Sequence, residues 1–265
     1  MAVTRFLKAA IPGVLLLAGS LVSSAQGPAF EVVALGTGGP SAAGRASSSY
    51  ALVLDGKPRI LVDAGGGAFA RAGELGLALD DLNIVLLTHL HIDHCADLPA
   101  IFKARGFAHR GPYAFQVFGP SAGGEYPAVP QWIKLLFGKG GAFAYQPGFN
   151  AEETITPTDL TSDLARPPTT IIEAGDLQIR AVATHHGDCP SIAYRISYAG
   201  KSVTFSGDMD ASALPNLTVL AAGTDLLVFN TVVLGSLPWN GHLKIRWSPN
   251  QLTVHPRCAH RADKA

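Results

Sequence analysis

The chain has 265 residues, 48% of them hydrophobic and 15% charged, enough apolar surface for one sizeable core and too much for a disordered chain. Lys plus Arg balance Asp plus Glu at 20 each, so no basic stripe of the kind that grips nucleic acid is expected. Cys95, Cys189 and Cys258 are too few for a disulfide scaffold, and buried free thiols are the expectation for them.

The first residues read as a leader. Arg5 and Lys8 precede an apolar run from Ile11 to Val22, and Ser23-Ser24-Ala25 offers small residues for cleavage before Gln26. This predicts a signal peptide over residues 1–25, a periplasmic or secreted product, and one domain over residues 26–265. Without Arg5 and Lys8, 18 basic residues face 20 acidic ones, a formal −2. No later stretch is long and apolar enough for a membrane helix.

In chain order the pattern then alternates. Glu31–Leu35 is a short apolar strand ending in Gly36-Thr37-Gly38-Gly39-Pro40. Tyr50–Leu54 and Arg59–Asp63 form a hairpin about Asp55-Gly56, and a helix follows from about Ala68 to Leu75. Ile84–Leu87 is a buried strand. Phe115–Phe118 reads as a strand and Pro130–Phe137 as a short helix. The remainder of residues 106–163, with Gly138–Gly141 and the Pro/Thr-rich Thr154–Pro168, reads as loop and as a candidate lid. Leu177–Thr184, Ser191–Tyr198, Ser202–Phe205 and Asp225–Phe229 are further strands, the middle two joined at Ala199-Gly200. This alternation alone predicts an α/β fold.

The densest chemical signal stands at the end of the fourth strand: His89-Leu90-His91-Ile92-Asp93-His94. Imidazole and carboxylate suit zinc and related divalent ions. On an extended segment His89 and His91 point the same way and can share one ion. A turn after them can offer Asp93 and His94 to a second.

Thr88-His-Leu-His-Ile-Asp-His94 resembles the signature of the metallo-β-lactamase superfamily. Leu35-Gly-Thr-Gly-Gly-Pro40, Leu61-Val-Asp-Ala-Gly65 and Ser206-Gly-Asp208, in that order, narrow the resemblance to its ribonuclease Z and arylsulfatase-like branch, over about Phe30 to Val233. The resemblance implies a four-layer αβ/βα sandwich and two zinc ions. It implies a first ion on His89, His91 and a later histidine, a second on Asp93 and His94, and Asp208 bridging both. Asp63 would orient a ligand histidine from behind. The later histidine is His185 or His186; the run His186-Gly-Asp-Cys-Pro-Ser-Ile-Ala-Tyr-Arg195 favours His186 and leaves His185 as a supporting pocket residue.

The activity implied is an exported hydrolase that uses metal-activated hydroxide on a sulfate, phosphate or carboxylic ester or lactone, with Asp93 as the catalytic residue that orients the water or acts as general base. Its partner is then a small-molecule ester rather than nucleic acid, and a homodimer is left open. One alternative is a ribonuclease Z-like phosphodiesterase on RNA. Another is a C-terminally truncated, catalytically weak metal-binding protein, because residues from about 240 to 265 depart from the family pattern. There His255, in Leu252-Thr-Val-His255, only superficially matches a last ligand, the tail reads as a frayed polar terminus, and the second ion is expected to bind weakly.

Overall fold

The computed structural model describes residues 29–41, 44–108, 112–146, 153–230, 242–248 and 251–257. The leader reading and residues 258–265 therefore lie outside the described residues, and of residues 242–248 and 251–257 only the backbone is described. Among those described, no helix is long and apolar enough to cross a membrane.

Two sheets stack face to face. The larger holds eight strands in the order β13-β12-β1-β2-β3-β4-β5-β6: β1 Phe30–Gly36, β2 Ser49–Leu54, β3 Lys57–Val62, β4 Ile84–Leu86, β5 Tyr113–Pro120, β6 Glu153–Leu160, β12 His242–Ser248 and β13 Gln251–Arg257. The smaller holds β11-β10-β9-β8-β7, from β7 Thr169–Ala174, β8 Leu177–His186, β9 Cys189–Tyr198, β10 Lys201–Phe205 and β11 Leu226–Val228. Helices α1 Ala68–Glu74, α2 Ile92–Cys95, α3 Leu98–Ala108 and α4 Val129–Phe137 follow strands of the first sheet, and α5 Leu214–Ala221 follows β10.

Burial explains the layering. In β1, Val32 joins Leu52, Ile60 and Leu86 against Ile192, Tyr194 and Ile196 of the other sheet. Its neighbour Val33 faces the other way, into a cluster with Ala68, Ala72, Leu98, Phe102 and Ile133 from α1, α3 and α4. Strands covered on both faces read as continuous apolar runs, as Val32–Leu35 does. On the outer face of the small sheet, Val182 and Ala193 meet Leu217 and Leu220 of α5. The result is helices, sheet, sheet, helix, the four-layer α/β arrangement expected.

The hairpins fall where the turn dipeptides predict. Asp55-Gly56 and Ala199-Gly200 both take positive φ, as tight two-residue β-turns require. Several elements differ from the sequence expectation. Residues 153–160 are a strand rather than loop; Pro157 is tolerated because β6 is the sheet edge. Helices α3 and α5 and strand β7 emerge from segments without an assignment. The tail, expected to be frayed, contributes the backbone of β12 and β13, which extend the sheet from β1.

Candidate metal centre

β4 delivers the histidines to one edge of the sandwich. Past its end, Leu87 N–H donates to Phe118 O at 2.8 Å, and Ile192 N–H of β9 donates to Thr88 O at 2.8 Å. Tyr194 Oη donates to Leu87 O at 2.9 Å from the opposite sheet. The end of β4 and the start of β9 are thereby fastened together. The β8–β9 turn, with Gly187 at positive φ and His186 paired to Cys189, then reaches the same edge.

There His89, His91 and His186 offer one ring nitrogen each, all within 4.8 Å of one another, as do His89, His94 and Asp208 with one ligand atom each. His91 Nδ1 lies 3.1 Å from His89 Nε2 and 3.3 Å from His186 Nε2. His94 Nε2 lies 3.7 Å from Asp93 Oδ2 and 3.5 Å from Asp208 Oδ1. The other oxygen of Asp208 is 3.8 Å from His186 Nε2, so its carboxylate lies between the two groups.

Asp63 underpins both groups. It follows β3 directly at φ 56, a left-handed conformation that Asp tolerates better than most residues. Its Oδ2 receives His94 Nδ1 at 2.7 Å and Thr88 Oγ1 at 2.9 Å, and its Oδ1 receives Thr88 N–H at 2.8 Å. Thr88 Oγ1 in turn stands 3.1 Å from His89 Nδ1. One buried carboxylate thus steers His94 directly and His89 through a hydroxyl. Gly207, before Asp208, has φ 60, and a Cβ there would meet Thr88 Cβ at 2.7 Å. The Ser-Gly-Asp loop can lie against Thr88 only with glycine at that point.

His185 faces away from His186, as neighbours on a strand do. Its Nδ1 is 2.5 Å from Asp210 Oδ2, and its carbonyl accepts Asp210 N–H at 2.8 Å. The pair ties the Asp208 loop to the end of β8. Asp210 also caps the 3-10 turn Ala211–Ala213, and its hydrogen bonds from Ser212 and His185 hold its pKa down at about 2. His255 falls in β13, opposite Lys244, and its side chain lies outside the described residues.

The electrostatics separate the imidazoles. Burial, reinforced by the neighbouring rings of His94, His91 and His186, drives the His89 pKa far below the ordinary range. Burial also lowers His186. Burial would lower His94 too, but the carboxylates of Asp63, Asp208 and Asp93 outweigh it and raise that pKa. Imidazole nitrogens, those of His89 and His186 kept neutral, converging with carboxylates are a donor set that fits a divalent cation.

Three neighbours escape the sequence reading. Asn230 Nδ2 donates to Asp208 Oδ1 at 2.9 Å; its only signal is a polar residue just past a strand end. Tyr126 Oη lies 2.8 Å from His91 Nε2, across 35 residues of chain, and nothing local announces it. Thr88 is quoted in the signature without a role. Cys95 and Cys189 are free and buried. Burial, with Asp63, Asp93 and Cys189 adding to it, raises the Cys95 thiol to about 12.

The groups open into a cleft of ≈ 510 Å³ bordered by Thr37–Pro40, Ser48, Tyr50, His94, His186, Asp208, Met209, Phe229 and Asn230. The Gly-rich segment after β1 thus forms a wall of the site.

The comparisons agree with this geometry. The sequence pattern of the metallo-beta-lactamase superfamily matches residues 42–227. The chain is 31% identical over 208 residues to the ribonuclease Z of Mycobacterium sp. (strain KMS), covering 76% of this chain and 68% of that one. It is 32% identical over 213 residues to the ribonuclease Z of Mycolicibacterium gilvum, with coverage of 76% and 68%. Among solved structures, the short form of human tRNase Z superposes with a TM-score of 0.56 at 20% identity, over 74% of this chain and 76% of that one. The metallo-beta-lactamase fold protein YhfI of Bacillus subtilis gives 0.53 at 22%, over 76% and 70%. At such identities the structures speak for the fold alone. With the fold, the donor cluster and these relatives in agreement, the chain belongs to the ribonuclease Z branch of the metallo-beta-lactamase superfamily and is a metal-dependent hydrolase.

Proposed function

We propose that the chain is a zinc-dependent phosphodiesterase, holding one ion on His89, His91 and His186 and a second on Asp93 and His94, with Asp208 shared between them. The observation that carries this reading is that His89, His91 and His186, and likewise His89, His94 and Asp208, bring their ligand atoms within 4.8 Å of one another beside a cleft bordered by His94, His186 and Asp208. The relatives named ribonuclease Z make an RNA phosphodiester the first substrate class to try.

Bound divalent ions supply Lewis acidity and bring a water's pKa down to about 7. The residues supply the rest. His89 and His186 stay neutral and keep their lone pairs turned to the site. Asp63 and Thr88 fix the directions of His94 and His89. Asp93, buried beside His94, accepts the proton of the attacking water. Asn230 steadies Asp208.

A second reading is hydrolysis of a small sulfate, phosphate or carboxylic ester by an exported enzyme. Two observations favour it: the leader-like residues 1–25, and a cleft whose described lining contains neither Lys nor Arg. RNA binding leans on such cations.

The test measures initial rates of the full chain, with and without added zinc. The substrates are bis(para-nitrophenyl) phosphate, para-nitrophenyl sulfate, a lactone and an RNA carrying a single-stranded trailer. Zinc-dependent cleavage of the diester and the RNA supports the first reading. Turnover confined to the sulfate or the lactone transfers support to the second. Turnover indifferent to a chelator contradicts both.

A further inference from the structure

The outer nitrogen of His91 has a specific partner from a distant turn. Tyr126 sits in the loop after β5, in a turn closed by mutual backbone hydrogen bonds with Gly123 at 2.9 and 3.2 Å. That turn is pressed onto the β8–β9 turn: a Cβ on Gly123 would meet Pro190 Cγ at 2.7 Å. Tyr126 is thus positioned by the same hairpin that carries His186. Its hydroxyl stands 2.8 Å from His91 Nε2, with the ring centroids 5.6 Å apart and the planes 70° apart. On the other side, Cys95 Sγ donates to the His91 carbonyl at 3.2 Å.

The inner nitrogen dictates the proton's place. His91 Nδ1 faces His89 Nε2 and His186 Nε2 at 3.1 and 3.3 Å. A shared cation there needs a lone pair on Nδ1, so the ring proton must sit on Nε2. A partner that accepts that proton selects this tautomer and fixes the ring's orientation, as hydrogen bonds to the far nitrogen of metal-bound histidines do generally.

We propose that Tyr126 is a positioning residue for the three-histidine site: its hydroxyl accepts the His91 Nε2 proton. This rests on the metal role proposed for His91 and is independent of which ester is cut. Because the turn leans on Pro190, it also links the two segments that supply His91 and His186.

The experiment uses the full chain with zinc alone. Zinc affinity is read by competition with a chromogenic chelator for wild type, Tyr126→Phe and His91→Ala. Nitrogen NMR of the zinc-free protein, at about pH 8 and so above the ordinary imidazole range, reads the His91 tautomer. Tyr126→Phe is expected to weaken zinc binding about 10- to 100-fold and to give mixed tautomers at His91, which is Nε2–H in wild type. Unchanged affinity in a folded Tyr126→Phe protein overturns the proposal, as does an Nδ1–H His91 in wild type. The wild-type tautomer decides alone if that variant does not fold. Loss of zinc in His91→Ala but not in Tyr126→Phe sinks this inference only; retention in both sinks the metal role of His91 itself.

Discussion

The two donor groups at the edge of the sandwich are built differently. His89, His91 and His186 come from segments 95 residues apart and meet only because β9 is fastened to the end of β4. Asp93 and His94 are adjacent in the short helix α2 and buried, and His94 is held by Asp63. In the first group burial pushes His89 and His186 down and keeps those two rings neutral. In the second, three carboxylates outweigh burial and bias His94 toward its protonated form. An ion entering the first group meets open lone pairs; an ion entering the second displaces a proton. The second ion should therefore bind more weakly and respond more to acid.

The sharpest way to break this comparison is His91→Ala, which should reduce metal-dependent hydrolysis to background in assays with chelator-cleaned reagents. Retained activity would remove the three-histidine group from the chemistry. Next comes Asp63→Ala, which strips the support from His94 and, through Thr88, from His89. It should cost about 3–5 kcal/mol of stability in denaturant titrations, the usual effect of breaking a buried pair, and about 10- to 100-fold in metal affinity.

Acidity separates the groups in the metal-free protein. A raised His94 pKa stabilises the fold below about 6.5 and loses that contribution as the pH rises through its folded value. Lowered His89 and His186 pKa values favour the fold above about 6.5 and lose their contribution as the pH falls toward their folded values. Stability of the metal-free protein should therefore peak near about pH 6.5 and fall on both sides; a monotonic profile in urea titrations would erase the difference drawn between the groups. The smallest effect is Asn230→Ala. Losing one hydrogen bond to Asp208 should weaken metal binding by about 1 kcal/mol, roughly fivefold, seen in zinc titrations as a change confined to the weaker ion.

Much of the site was legible because its donors cluster. His89, His91, Asp93 and His94 fall within six residues after an apolar strand, and Ser-Gly-Asp and His-Gly stand at recognisable turns. Asn230 and Tyr126 were not legible, since each reaches its partner across 22 and 35 residues, by tertiary docking alone. The fold shows the same divide. Central strands β1 to β4 are mostly apolar, with Val32–Leu35, Ala51–Leu54, Ile60–Val62 and Ile84–Leu86 buried, and announce themselves. The edge strands β6 and β7 have little buried surface, so Glu153–Leu160 reads as loop. Helix α3 carries Pro99 at its second position, where proline is compatible with a helix but looks like a break.

The most direct test is zinc content after exhaustive dialysis, measured by elemental analysis on wild type, His91→Ala and Asp93→Ala. Wild type should keep one ion firmly and fill the second only with zinc in the buffer; Asp93→Ala should keep the firm ion and never fill the second; His91→Ala should keep none. A His91→Ala protein that retains the wild-type load, or a wild type that holds both ions equally firmly, would contradict the division of the site into two unlike halves.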